Sequence, residues 1–389
     1  MREYRICNYC VMDTSDLMIE FDSNGRCNHC LKYEKNIKPL LMLKKDKSIF
    51  KKLINKIKND GKNNKYDSII GLSGGKDSSY IVHLAKLNGL RPLIIHFDNG
   101  WDSELAIQNI ENIIKKTNFD YINYIVDWEE FKDLQLAYFK ASVVDIEVPT
   151  DMGIYNIISL MAFKYKIKYH LFGANIESES IMGKNWRYSG KKIDIYNLID
   201  IHKNFGTKRL KTFPIIHPIK NQYLTSIYGL KKINILNYVD SNYEKIKEIL
   251  NDEYGWLDYS VKHGESVFTK FYQSYILPKK FGFDKRRAHL SDLICSDQIS
   301  RDEAIGILKT PIYKDDFELN RDYEFVLNKW GLSEQEFGNI MNQPIVEHGY
   351  FKTYDENDFT IENIIMKIGK RIFSFLRFIG LRNSKGIFS

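Results

Sequence analysis

Ser68-Ile69-Ile70-Gly71-Leu72-Ser73-Gly74-Gly75-Lys76-Asp77-Ser78-Ser79 is the stretch on which the fold turns. Residues 68–72 are a short apolar run with the length of a buried strand, and the run stops at a Ser-Gly-Gly turn. Ile81, Val82, Leu84, Ala85 and Leu87 then recur at helical spacing. Strand, glycine turn and helix in this order make an anion site. The glycines let the backbone turn sharply and approach phosphate oxygens. The helix that follows points free N–H groups and the positive end of its dipole at the ligand. Ser73 and Ser78 add hydroxyl donors, Lys76 adds charge, and Asp77 adds a carboxylate suited to Mg²⁺. The string has neither the Gly-x-x-x-x-Gly-Lys-Ser/Thr spacing of the Walker loop nor Gly-x-Gly-x-x-Gly.

Downstream, residues 92–97 read as a second buried strand, stopped by Asp98-Asn99-Gly100, and residues 105–114 as a helix. Residues 121–126 read as a third strand, 129–141 and 154–165 as helices, and 169–172 as a fourth strand ending in Gly173-Ala174-Asn175. Alternation of this kind predicts an α/β fold, a doubly wound and mostly parallel sheet with helices on both faces. After about Pro218 the alternation fades, and residues 224–249 and 267–308 look predominantly helical. In such a sheet ligands sit at the carboxyl ends of the strands.

The loop resembles the signature of the PP-loop ATP pyrophosphatases, the adenine nucleotide alpha hydrolase-like enzymes. That resemblance implies binding of ATP with Mg²⁺ by Ser73, Gly74, Gly75, Lys76, Asp77 and Ser78, with Lys76 and Asp77 serving catalysis. These enzymes cut ATP between its α and β phosphates, adenylate a substrate oxygen and let a nitrogen or sulfur nucleophile displace AMP. Asp98 and the Gly173-Ala174-Asn175 turn resemble the superfamily's loops after the second and fourth strands, the first of them near the adenosine. Each is weak alone, because Asp-Asn-Gly is a good turn in any protein.

Four of the five cysteines fall within the first thirty residues, as Cys7-x-x-Cys10 and Cys27-x-x-Cys30. Two such knuckles complete a tetrahedral thiolate site, closed and therefore structural, which predicts a zinc ribbon. His29 lies inside the second knuckle and is the less favoured ligand. So short a segment holds little core, so the metal is expected to supply much of its stability. Cys295, between apolar neighbours, reads as packing. The scarcity of further cysteines disfavours sulfur transfer, which needs thiols beside the ATP site.

Apolar residues make up 43% of the 389 and charged residues 28%, which excludes a disordered chain. A net charge of +7 fits a mildly basic soluble enzyme and does not choose among anionic partners. Residues 1–10 lack a signal-peptide core and no run is long enough to span a bilayer, so a cytoplasmic location is expected. There the thiols stay reduced.

Further stretches narrow the resemblance: residues 173–182, Glu265-Ser266-Val267-Phe268-Thr269-Lys270-Phe271-Tyr272-Gln273, and residues 277–291 from Leu277-Pro278-Lys279-Lys280 to His289-Leu290-Ser291. With the ribbon and the loop, they are similar to the N-acetyl sugar amidotransferases of bacterial surface-polysaccharide and flagellar-sugar pathways, over roughly residues 1–320. The resemblance implies conversion of a sugar's acetamido group to acetamidino through an O-adenylyl imidate. The sugar would be nucleotide-linked or a nonulosonic acid, and ammonia would come from a separate glutaminase subunit. It also implies phosphate contacts from Lys285, Arg286 and Arg287, and substrate contacts from Glu179 and Trp186. Gly183 departs from the proline expected there. No nucleic-acid partner is expected; the competing reading is a thiolase-like tRNA-modifying enzyme.

The expected division is a zinc ribbon at 1–35, a helical connector at 36–65, the ATP-binding α/β domain at 66–220, a mainly helical substrate and phosphate region at 221–330, and a helical tail at 331–389. Within the tail, residues 360–381 read as a basic amphipathic helix. It either packs on its own domain or docks on an ammonia-supplying partner or an anionic membrane surface.

Overall fold

Strand β1 (Ser68–Gly71) is the centre of a five-stranded, wholly parallel sheet in the order β3-β2-β1-β4-β5. The other strands are β2 (Pro92–Asp98), β3 (Tyr121–Ile125), β4 (Tyr169–Phe172) and β5 (Lys231–Asn234). The structure is a computed structural model that describes residues 3–43, 46–188, 192–239, 242–259 and 264–353. The amphipathic stretch expected at 360–381 lies outside the described residues.

Side chains alternate across each strand, and that period sorts the core into two layers. Ile70, Ile94 and Leu171 face one side. There they meet α3 (Lys47–Asp60), α4 (Lys76–Leu87), α5 (Glu104–Thr117) and α10 (Tyr243–Tyr254) through Ile57, Ile81, Ile110 and Leu250. Ile69, Leu93 and Ile95 face the other side, toward α6 (Trp128–Lys140), α7 (Val148–Lys164) and α8 (Ile195–Phe205). Burial on both faces explains why the inner strands read as continuous apolar runs. The short helices α1 (Asn28–Asn36) and α2 (Lys38–Leu43) precede the sheet, and α9 (Pro218–Gln222) leads into β5.

Two boundaries differ from the sequence reading. The connector at 36–65 contains α3, whose Ile54 and Ile57 are part of the sheet's core. The α/β unit also runs past residue 220, because β5 pairs with β4 from Lys231 to Asn234. β5 is a half-exposed edge strand, Lys-Lys-Ile-Asn, and carries no apolar run to betray it.

The remainder is helical: α11 (Val267–Phe271), which widens into a π-helical stretch to Phe281, then α12 (Arg286–Cys295), α13 (Arg301–Lys309), α14 (Asp316–Trp330) and α15 (Glu334–Met341). It packs on the α7 side through Phe268, Trp330 and Phe337. No helix of the described residues is long and apolar enough to cross a membrane.

Candidate functional site

The Ser73–Ser78 turn links the carboxyl end of β1 to the first turn of α4. Gly74 has φ +78°, and a β-carbon there would stand 2.7 Å from the carbonyl oxygen of Ala106 on α5. Both the backbone conformation and the close approach therefore demand glycine. Its carbonyl is held from behind by Trp256 Nε1 at 2.8 Å and the Tyr259 hydroxyl at 3.0 Å. Ser73 and Ser78 brace the turn internally: Ser78 Oγ accepts from Ser73 N and donates to the Gly75 carbonyl, while Gly75 N donates to Ser73 Oγ. Gly75 caps α4 without any side-chain hydrogen bond, so the first N–H groups of the helix are left for an anion.

Lys76 and Asp77 open that helix. The Lys76 ammonium lies 3.2 Å from Asp77 Oδ1 and 4.2 Å above the ring of Tyr243. Asp77 Oδ1 is buried and has no hydrogen-bond partner. A carboxylate beside an anion loop suits a hard divalent cation. Gly173, at the end of β4, comes within van der Waals distance of Asp77: a β-carbon on Gly173 would lie 3.7 Å from its Cβ. The loops after β1 and β4 thus meet where the strand order changes direction, as expected for a ligand site in an open α/β sheet.

The end of β2 adds a feature that sequence reading missed. His96 Nδ1 donates to the Leu72 carbonyl at 2.8 Å, and Nε2 faces Asp102 Oδ2 at 2.9 Å. A carbonyl can only accept, so Nδ1 carries a proton, and the Asp102 carboxylate favours a second proton on Nε2. Burial disfavours that charge, but Asp102 and Leu72 outweigh it and raise the His96 pKa above its ordinary value. His96 thus stands one residue from the phosphate loop, its ring tied to both Leu72 and Asp102. Asp98 Oδ1 accepts from Gly100 N at 2.9 Å and shapes the neighbouring turn. A groove of about 550 Å³ opens here, lined by His96, Asp98, Asp102, Ile107, Ile110 and Tyr121. That volume lies in the range of small-molecule sites.

Across the sheet top, the first turn of α7 carries a second polar group of residues. Lys192 bridges Asp151 and Asp145, the latter at 3.3 Å. Glu147 Oε2 accepts from Thr269 Oγ1 at 3.1 Å, while Oε1 is buried without a hydrogen-bond partner. Burial first, then the Asp151 charge, pushes the Glu147 carboxyl up to about 8. Thr269 leads back through Ser266, 3.0 Å away, to Glu265, whose carboxylate lies against Gly75 of the phosphate loop. No short motif marks these residues.

Other expected residues have structural duties. Asn175 is buried and accepts from Glu177 N at 2.9 Å, shaping the 173–182 loop. Asp292 on α12 fastens that loop by accepting from Ser180 N and Ile181 N. Glu179 is exposed on it. Trp186 is only 2% exposed, too buried to touch a sugar. It stacks on Phe283 at 4.6 Å and donates to the Ser15 carbonyl. A β-carbon at Gly183 would collide with the Trp186 ring at 2.8 Å, which accounts for glycine there. Arg286 is bound to Asp284 and to the carbonyls of Ile307, Leu308 and Thr310, closing the end of α13. Arg287 is bound to Asp13, the Val11 carbonyl and the Tyr4 hydroxyl. These contacts replace the expected phosphate clamp with protein–protein ties. Lys285 stands at the start of α12, and its charge helps hold the Asp145 carboxyl ionised.

The cysteine quartet assembles as the spacing predicts. Cys7, Cys10, Cys27 and Cys30 are all buried, with their sulfurs within 4.8 Å of one another. The Cys7–Cys30, Cys10–Cys27 and Cys27–Cys30 separations are 3.8, 3.7 and 3.6 Å. A tetrahedron with metal–sulfur bonds of about 2.3 Å has edges of roughly 3.8 Å, so the set fits a zinc-type ion. Cys27 N and Cys10 N donate to Cys7 Sγ at 3.2 and 3.4 Å, as thiolate knuckles require. His29 turns away to Asp16 Oδ2 at 2.6 Å and is not part of the set. Cys295 is buried and, with Cys30, lines a small opening behind the cluster.

Sheet order, loop and switch-point geometry define an α/β protein of the PP-loop type carrying an N-terminal four-cysteine module. Residues 265–366 match the family model described as LPS biosynthesis protein WbpG-like, C-terminal domain. No curated protein matches the chain. Among solved structures it is similar to an NMN synthetase from Francisella tularensis, at 16% identity, covering 56% of this chain and 89% of that one, with a TM-score of 0.28. An NH3-dependent NAD synthetase from Campylobacter jejuni matches at 18% identity, over 54% of this chain and 93% of that one, also at 0.28. A predicted subunit of tRNA methyltransferase from Methanocaldococcus jannaschii matches at 18% identity, over 47% and 74%, at 0.21.

Proposed function

We propose that this chain is an ATP-dependent amidotransferase that turns the acetamido group of a sugar into an acetamidino group. The observation that carries the reading is one juxtaposition: the uncapped phosphate loop has the first residue of the WbpG-like domain, Glu265, laid against it. An ATP-type site and a domain of surface-glycan biosynthesis thus share one cleft.

The chemistry balances in two steps. The acetamido oxygen attacks the α-phosphorus of ATP, the α–β phosphoanhydride breaks, and pyrophosphate leaves with an O-adenylyl imidate remaining. Ammonia then adds to the imidate carbon, the C–O bond breaks, and AMP leaves with the amidine, which retains the extra proton. The helix N–H groups and Lys76 stabilise charge building on pyrophosphate. Mg²⁺ supplies Lewis-acid neutralisation of the phosphates, and Asp77 is the residue placed to hold it. The cysteine module takes zinc as a structural ion. Ammonia comes from a separate glutaminase subunit, and the enzyme works in the cytoplasm.

The test incubates the purified chain with ATP, ammonium and a panel of acetamido sugars, free and nucleotide-linked. The expected result is AMP and pyrophosphate in equal amounts, with one sugar changing mass by exchange of oxygen for NH. Release of ADP, or AMP formation that depends on tRNA and not on any sugar, would overturn the reading.

A further inference from the structure

Charge is spread unevenly over the molecule. Residues 152–176 and 201–239 contain ten Lys or Arg and no Asp or Glu. Ten exceeds the whole chain's net charge of +7, so the rest of the chain is net acidic. The fold brings the two basic stretches together. β4 pairs with β5, Tyr155 on α7 donates to Asn221 on α9, and the Tyr228 hydroxyl lies 3.2 and 3.1 Å from the carbonyls of Ala162 and Ile167. Asp60, near Lys231, and Glu129, 4.0 Å from Lys208, mark the acidic edges of this region.

Apolar side chains stand in water amid that charge. Ile219, Tyr223 and Ile227 are 48, 41 and 74% exposed. They are four residues apart, on α9 and on the single π-helical turn, Tyr223–Ile227, that continues it. A four-residue step overshoots an α-helical turn and falls short of a π-helical one, so the three line up on one face. Phe163, also exposed, meets Tyr223 edge-on at 6.1 Å and widens the stripe. Single exposed apolar residues need no explanation, but a contiguous stripe marks a contact surface. Lys164 and Lys220 directly follow Phe163 and Ile219, and both are exposed, as are Lys166 and Lys231. The region lies toward the amino ends of β4 and β5, where Lys231 N donates to the Lys168 carbonyl. The phosphate loop lies at the carboxyl end of β1, so a partner seated here leaves the nucleotide cleft open.

We propose that this face docks on an anionic phospholipid bilayer. The lysines are drawn to the headgroups, and the Ile219–Tyr223–Ile227 stripe enters the boundary with the acyl chains. Isoleucine offers no ring on which a base can stack, which favours lipid over nucleic acid. The described chain ends beside this face: Lys352 N donates to Asp200 on α8, and Tyr196 of the same helix meets the His217 ring at 6.4 Å. Residues 363–389 carry six Lys or Arg and no acid, so like charge opposes their covering the stripe.

The full-length chain is floated with phosphatidylcholine vesicles, with and without phosphatidylglycerol. It should rise only with the anionic vesicles, and less as salt is raised. Lys220→Gln with Lys231→Gln should weaken binding about twenty-five-fold, at about fivefold for each lysine. Ile227→Ser should weaken it about tenfold. Unfolding midpoints and ATP affinity equal to wild type verify that these variants keep the fold and the cleft. Absence of binding to anionic vesicles would overturn the proposal. So would vesicle binding that the patch variants leave unchanged, which would place the contact in residues 354–389. A homopolymeric RNA bound in place of the vesicles, and released by the lysine variants, would assign the face to nucleic acid. A dimer in sedimentation that Ile227→Ser dissociates, without vesicle binding, would assign it to a second copy.

Discussion

Arg287 on α12 and Asp13 in the cysteine module form an ion pair, Nε to Oδ2 at 2.9 Å, with both side chains largely shielded from water. Arg287 also donates to the Val11 carbonyl, so it bolts the module to α12. Arg287→Ala should lower stability by about 1–3 kcal/mol, because a shielded carboxylate loses its partner. Nucleotide affinity should stay within about twofold, since the guanidinium serves the protein and not the phosphates. Calorimetric unfolding and ATP binding measured on the same variant check both halves. A large loss of ATP affinity with unchanged stability would restore the phosphate-clamp role.

Stripping the metal should reach beyond the first residues. Arg301 donates to the carbonyls of Cys7 and Cys10, and Ser291 Oγ accepts from Val11 N. A thiol-reactive chelator should therefore raise amide exchange in residues 3–30 and in α12 and α13, while β1, β2 and α4 keep their protection. Metal analysis should return one zinc-type ion per four cysteines. Unchanged exchange in α12 and α13 on metal loss would show that the ties do not couple the two parts.

Two glycines of the candidate site should respond oppositely to a methyl group. Gly74→Ala meets a positive φ and the Ala106 carbonyl at 2.7 Å, so it should cost roughly 2 kcal/mol or more and abolish nucleotide binding. Gly173→Ala meets Ile81 and Asp77 at 3.6 and 3.7 Å, ordinary contact distances, and should fold as well as wild type. Equal stabilities for the two variants would contradict the loop geometry.

Lys76→Ala removes a cation held over Tyr243 at the start of α4. AMP formation should fall by about a hundredfold or more, the size of effect seen when a preorganised charge is deleted from a developing anion. Because the side chain is not part of the core, the unfolding midpoint should hardly move. Near-normal AMP release would remove Lys76 from the chemistry.

Glu147 should give stability a recognisable pH dependence. Its carboxyl is pushed up to about 8, against an ordinary value near 4.5. Between those values the native chain holds a proton that the unfolded chain has released. Stability therefore falls as pH rises through that window, by at most roughly 1.4 kcal/mol per pH unit, and levels off above about pH 8. Glu147→Gln cannot ionise, so its advantage over wild type should grow from about pH 5 to about pH 8. A constant difference across that range would mean that Glu147 is ionised throughout.

The inner strands, the phosphate loop and the cysteine pairs were legible because each is a local pattern. Ile69 and Ile70 announce a strand buried on both faces, and the spacing of Cys7, Cys10, Cys27 and Cys30 announces a tetrahedral site. β5 was not legible, since an edge strand beginning Lys231-Lys232 needs no apolar run. Charge alone could not distinguish the uses of Arg286 and Arg287: Asp284, two residues before Arg286, reads as part of a basic run, and Asp13, the partner of Arg287, lies far away in sequence. Trp186 failed for the same reason: an aromatic residue in a loop reads as exposed until Phe283 arrives to cover it. His96, Glu147 and Glu265 acquire their character only when β2, α7 and the start of α11 converge, and nothing in their immediate neighbours foretells that.

The seat of the cysteine module bears on the order in which the molecule is completed at the ribosome. Residues 7–30 emerge long before their docking partners Arg287, Ser291 and Arg301, which follow the whole sheet; Val11 and Ser291 are separated by 280 positions along the chain. The two knuckles can close around an ion early, since all four ligands are local. Docking has to await synthesis through α13, when β1 to β5 have already had the opportunity to form and shorten the gap between the ends. A nascent chain halted before residue 285 would carry a metal-loaded module with nowhere to land, its future contact face open to water. A segment made late in synthesis is what anchors one made early.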